Sequence, residues 1–198
     1  NVVACPVSRL VVDVERFADN AEESMCAQGM GAVYQRGHDE RVLRRNLKSR
    51  DQLLQRFYAP HHHALQQAVE KHLTEQGEAI IIDCHSFPEH ALPYEKDQTL
   101  HRPEICIGTD SVHTSEALAV AIEQAYRDCN FEVARNTPFA GSLVPLAYLG
   151  WHKRVQSVMI EVRRDVYMNE LTVKRKPDVP RFTHANADAI MAARRFSL

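Results

Sequence analysis

Ala79-Ile80-Ile81-Ile82-Asp83 is an almost unbroken apolar run closed by a carboxylate. A strand buried on both faces of a sheet reads this way, because neither of its sides meets water. It leads directly into Asp83-Cys84-His85-Ser86-Phe87-Pro88, so chemically capable side chains follow on buried backbone. Upstream, Leu65, Val69 and Leu73 recur every four residues, the period of a helix with one inward face, and Gly77 closes it. A helical period already begins at Asp51, and Pro60 either interrupts it or opens a new helix in its first turn. Downstream, Ile105-Cys106-Ile107 predicts a strand, and Ser115 an N-cap for a helix with Leu118, Ile122, Ala125 and Tyr126 inside. Phe131-Glu132-Val133 and Ser157-Val158-Met159-Ile160-Glu161-Val162 predict further strands, and 186–196 a closing helix. Leu10-Val11-Val12-Asp13-Val14 reads as another buried strand, and 28–48, with Gly29, Gly31 and Gly37, as a long surface loop. Strands separated by helices place the chain in the α/β class: a mostly parallel or mixed twisted sheet with helices on both faces. In such sheets the active site gathers beyond the carboxyl ends of the strands.

Composition narrows the function classes. A length of 198 residues fits one domain, and 44% hydrophobic with 25% charged residues is the mix of a globular protein. Apolar runs reach about half a dozen residues, against the ~20 that span a bilayer, so no membrane is expected. Lys plus Arg number 24 against 26 Asp plus Glu, a net charge of −2, so no nucleic-acid partner is expected either. Five cysteines without CxxC spacing argue against a disulfide framework and for a reducing, cytoplasmic setting. Residues 1–6 show no signal-peptide pattern. The oligomeric state is open.

Several segments carry possible chemistry. His85 reads either as a zinc ligand just past a strand end, its ring held by Asp83 if the backbone turns sharply, or as a strand-end cap. Side chains alternate along a strand, so Val158, Ile160 and Val162 share one face and Met159, Glu161 and Arg163 the other. Glu161 there is either a general base or half of an ion pair with Arg163 or another basic group. Arg16, in Asp13-Val14-Glu15-Arg16-Phe17, can grip a carboxylate bidentately or sit as a solvated turn charge. His61, His62 and His63 follow Pro60, but helical neighbours point ~100° apart and cannot all face one ion. Asn136-Thr137-Pro138-Phe139-Ala140-Gly141-Ser142 is a turn-rich loop with ligand-binding groups, or a plain connection.

Taken in order, these segments resemble the N-formylglutamate amidohydrolase family. The matching stretches are Ser8-Arg9-Leu10-Val11-Val12-Asp13-Val14-Glu15-Arg16-Phe17, Tyr58-Ala59-Pro60-His61 and Asp83-Cys84-His85-Ser86-Phe87. Ile107-Gly108-Thr109, Asn136-Thr137-Pro138-Phe139-Ala140-Gly141 and Ile160-Glu161-Val162-Arg163-Arg164-Asp165-Val166-Tyr167-Met168 complete them. The resemblance implies a zinc carboxypeptidase-like α/β fold, similar in plan to aspartoacylase-like deacylases, with one zinc. It implies hydrolysis of N-formyl-L-glutamate to formate and glutamate, a closing step of histidine degradation. By the same resemblance His85 is a zinc ligand, Glu161 the base that activates water, and Arg16 the anchor for a substrate carboxylate. Arg163 and Asn136 are secondary substrate-binding candidates. Two departures stand out. The family's early His-x-x-Glu-like pair of ligands has no counterpart before Asn1, so the expectation is a single domain over 1–198 lacking its N-terminal part, with the other zinc ligands not identifiable. Glu15 stands where the resemblance has Asn, and an ionised Glu cannot donate to a carboxylate. A noncatalytic relative that binds a small carboxylate, and a related zinc peptidase, are the alternative readings.

Overall fold

The computed structural model describes residues 1–95 and 97–196. They fall into two compact units, Asn1–Ala68 and Val69–Leu198, each taken by itself. The second unit is built on a four-stranded sheet. Its strands are β1 (Ala79–Phe87), β2 (Ile105–Gly108), β3 (Val133–Arg135) and β4 (Val155–Arg163), in the order β1-β4-β2-β3. β1 runs parallel to β4 and β2 parallel to β3, whereas β2 and β4 are antiparallel. The sheet is therefore mixed, with one antiparallel pair in its middle.

Alternation along the strands divides the second unit into two cores. Ile80, Ile82, Ile105, Ile107, Val158, Ile160 and Val162 face helices α3 (Glu116–Asp128) and α4 (Val179–Arg194). Leu118, Ile122 and Tyr126 supply the inner face of α3, as the periodicity predicts, and Ala185, Ala189 and Ala193 that of α4. On the opposite face Ala79, Ile81 and Val155 pack with Val144, Tyr148 and with Val69 and Leu73 of α2 (Ala59–Gln76). Ser115 caps α3 by accepting from the Leu118 N–H. Gly77 ends α2 with φ of +79°, a conformation glycine adopts without a Cβ clash. A small hairpin, β5 (Met168–Asn169) with β6 (Lys174–Arg175), follows the sheet. No helix among the described residues is long and apolar enough to cross a membrane.

The first unit has little regular structure. Leu10-Val11-Val12-Asp13-Val14 is not a strand: Val11 and Val12 donate to the Ser8 carbonyl in a turn. The apolar run was a true burial signal, but its partners are side chains from a loop and a helix. Val12 and Val14 pack with Val33, Leu53, Leu54 and Phe57. Likewise, 28–48 is not simply a surface loop, since Met30, Ala32, Val33 and Tyr34 are buried. The helical stretch from Asp51 is real but broken in kind. A short α1 (Arg50–Leu53) passes into a wider turn, Leu54–Tyr58, before α2. There Ala59 N bonds Leu54 O, five residues back. Pro60 explains the widening: it has no N–H for the carbonyl four residues back, and its ring would collide with it.

Other boundaries shift. β1 continues to Phe87, so His85 lies within the strand rather than past its end. β3 begins at Val133, with Phe131 buried just ahead of it, and α4 starts at Val179 rather than at 186.

Candidate active site

The parallel register sets His85 opposite Glu161, and the antiparallel register sets Cys106 opposite Glu161 from the other side. Residues in register share a face, so His85, Glu161 and Cys106 form one row across β1, β4 and β2. Asp83, Met159 and Gly108 form the adjacent row. Both rows lie on the face away from α3 and α4, as the alternation of β4 requires. Glu161 is 9% exposed, a carboxylate placed inside a sheet. Burial raises the Cys106 thiol above its ordinary range, and the nearby Glu161 charge adds to that.

Asp83 and His85 meet without a sharp turn. Two residues apart on a strand, they project on the same side, and Asp83 Oδ1 lies 2.9 Å from His85 Nε2. The other Asp83 oxygen accepts from Leu143 N at 3.3 Å. Imidazole and carboxylate are both zinc donors, and donors about 2 Å from a shared ion stand about 3 Å apart. The Asp83–His85 pair thus has the chemistry and the spacing that a zinc ion accepts.

The loop at 136–143 lies over these rows. Phe139 O accepts from the Cys106 thiol at 3.2 Å, and Leu143 O from the Ser157 hydroxyl at 2.7 Å. Gly108 is the residue that lets it approach. A Cβ built there would stand 2.3 Å from Met159 Cε and 2.5 Å from the Gly141 carbonyl oxygen. Asn136, at φ +55°, ties the start of the loop to the end of β2. Its Oδ1 accepts from Thr109 N and its Nδ2 donates to Thr109 Oγ1, both at 2.8 Å.

The remaining sequence candidates sit as follows. Arg163 turns its guanidinium to Asp165, with Nε to Oδ1 at 2.6 Å, and donates to the Arg102 carbonyl. Arg163 thus makes an ion pair with Asp165, two residues on. Despite the desolvation that opposes it, the Asp165 carboxylate holds the Arg163 pKa above its ordinary value. Arg16, in the first unit, has Nε 3.6 Å from Asp13 and Nη1 3.7 Å from Glu23. Asp13 is itself bonded to Arg9 and to the Tyr34 hydroxyl, both at 2.8 Å. Glu15 follows it, its N–H 3.2 Å from Asp13 Oδ1. Of the three histidines after Pro60, His62 sets Nε2 2.9 Å from the Val14 carbonyl, inside the first unit.

Two buried residues escaped the sequence reading. Arg102 pairs with Glu95 at 2.5 Å and lies over the rings of Phe87 and Phe139, at 4.9 and 5.3 Å. It thereby links the end of β1 to the loop at 136–143, and no spacing rule marks it. His113 is fully buried between the Val155 carbonyl and the Gly150 N–H, each at 2.8 Å. One ring nitrogen donates and the other accepts, so the neutral ring satisfies both.

The comparisons with known proteins come to the same stretches. A family model for N-formylglutamate amidohydrolase matches residues 1–168. No curated protein matches the chain. Among solved structures, N-formylglutamate amidohydrolase from Ralstonia eutropha JMP134 is 26% identical with a TM-score of 0.77. That likeness covers 94% of this chain and 72% of that one. A gene product of Agrobacterium tumefaciens is 18% identical with a TM-score of 0.65, over 96% of this chain and 68% of the other, and speaks for the fold alone. The family match takes in every stretch on which the sequence resemblance was read, from Ser8 to Met168, and so the chain belongs to the N-formylglutamate amidohydrolase family.

Proposed function

We propose that this protein is a zinc-dependent amidohydrolase of zinc carboxypeptidase-like plan that cleaves a small N-acyl amino acid. N-formyl-L-glutamate is the first substrate to test, giving formate and glutamate. The observation that carries the reading is the row that sets the buried Glu161 carboxylate beside His85, with Asp83 against the imidazole. His85 would hold the metal, and Asp83 would either share it or orient the ring. When bound, zinc supplies Lewis acidity, which polarises a carbonyl oxygen and makes water more acidic. Glu161 takes a proton from the attacking water and returns it to the departing amine nitrogen, so the amide C–N bond breaks without expelling an amide anion. Arg16 is the proposed anchor for a substrate carboxylate. It already faces Asp13 and Glu23, so a ligand carboxylate has to compete with both. Arg163 and Asn136 would act on substrate less directly, because their donors are engaged with Asp165 and Thr109.

The test is steady-state hydrolysis of N-formylglutamate by zinc-loaded protein and by Glu161→Gln. The amide keeps the shape but cannot take a proton. A fall in kcat of about 10²–10⁴-fold is expected, with far-ultraviolet circular dichroism unchanged. An unaltered kcat would remove Glu161 from the mechanism. Calorimetric binding of N-formylglutamate without turnover at any added metal would instead mark a noncatalytic relative.

A further inference from the structure

A second group of metal-type donors lies in the same unit, on the opposite side of the sheet. α3 and α4 pack against each other over the face turned away from Glu161. Ala185, Ala189 and Ala193 make the buried stripe of α4. His184 and Asp188 each precede one of those alanines, ~100° round the helix, so both stand at the border of the stripe. They are four residues apart on one face, and His184 Nε2 lies 3.3 Å from Asp188 Oδ2. Cys129, the residue that ends α3, reaches the same border, where its half-buried side chain packs on the helix core. One ligand atom each from Cys129, His184 and Asp188 lie within 4.8 Å of one another. Donors on one zinc stand about 3–4 Å apart, within a side-chain rotation of that separation. His184 and Asp188 are exposed and can make that rotation. Arg181, three residues before His184 on α4, has its guanidinium 2.9 Å from Asp178 and stacked 4.1 Å over Phe131.

We infer that Cys129, His184 and Asp188 form a second zinc site, which ties the end of α3 to α4. A thiolate, an imidazole and a carboxylate favour a borderline-soft ion such as zinc over magnesium or calcium, which take oxygen ligands. Three protein donors leave the fourth tetrahedral position to solvent. The site does not depend on the hydrolase reading, since it shares no residue with the His85–Glu161 row.

The experiment titrates the full chain, stripped with chelator, with zinc chloride by calorimetry and with cobalt(II) by absorption. His85→Ala serves as a second background, so that the two zinc sites are counted separately. His184→Ala and Asp188→Ala are expected to weaken one zinc-binding event at least about tenfold in both backgrounds. Cys129→Ser should do the same and abolish the sulfur-to-cobalt charge-transfer band. All three should leave N-formylglutamate hydrolysis unchanged. If Cys129→Ser fails to fold, the exposed His184→Ala decides alone. Zinc affinities unaltered by His184→Ala and Asp188→Ala, or no thiolate band in the parent protein, would overturn the inference.

Discussion

At Gly108 an added methyl group would meet backbone, not a side-chain end. The Gly141 oxygen at 2.5 Å cannot rotate away, and Met159 presents its own Cβ at 3.0 Å as well as its mobile Cε. Gly108→Ala therefore forces the loop at 136–143 off the sheet. A loss of about 1–3 kcal/mol in urea unfolding is expected, and trimming Met159 to Ala should not restore it. His62 offers a residue-scale test in pH. Burial holds its pKa below the ordinary 6.5, with the Val14 carbonyl opposing only in part. The folded chain thus binds fewer protons at this ring than the unfolded chain. Its contribution to stability is complete above pH about 6.5 and is lost as pH falls through the lowered value. Unfolding free energies measured at about pH 8 and about pH 5 should differ by less in His62→Gln than in the parent protein.

At the scale of elements, caps and breakers act where local chemistry places them. Ser115 accepts from the third N–H of α3, one of the donors a helix start leaves without an intrahelical partner. Ser115→Ala should cost ~0.5–2 kcal/mol in denaturant unfolding, with no change in the metal content of the protein. Gly77 and Pro60 were legible for the same local reason, since each limits the backbone by its own covalent structure. The widened turn at Leu54–Tyr58 was not. A helical period cannot tell whether a proline is met by a break or by an extra residue in the preceding turn. The Leu10–Val14 run failed as a strand for a related reason. Hydrophobicity reports burial, but a strand also requires a neighbour for its N–H and C=O groups. Here the Asp13 N–H pairs with the Ala32 carbonyl and Val11 turns back on Ser8.

At the scale of the molecule, β4 is one of two inner strands of the sheet, held between β1 and β2, and seven of its nine residues are buried. Opening it requires breaking both ladders and exposing the α3–α4 core. Its amides should exchange with solvent only through global unfolding, whereas those of β5 and β6, a two-residue pair at the surface, should exchange by local opening. Hydrogen-exchange mass spectrometry checks the order, and β4 exchanging as fast as β5 would contradict it. The same centrality bears on chemistry. A carboxylate on an inner strand, unlike one on a loop, has its backbone held from two sides, so Glu161 is placed with little freedom to relax.

By itself the sequence determined the α/β class, the strand cores at Ile80–Ile82 and Val158–Val162, the capped helix after Ser115 and the family. These rest on short-range periods and on residue chemistry that acts within one or two turns. It also placed Glu161 on the face opposite Val158, Ile160 and Val162, since alternation is a property of any strand. Only the tertiary structure decided that β4 lies between β1 and an antiparallel β2, which brings His85 and Cys106 to either side of Glu161. It alone committed Arg163 to the Arg102 carbonyl and Asn136 to Thr109, and set Arg102 between two rings. Strand order and long-range partners depend on which surfaces close over one another, and no local period encodes that choice.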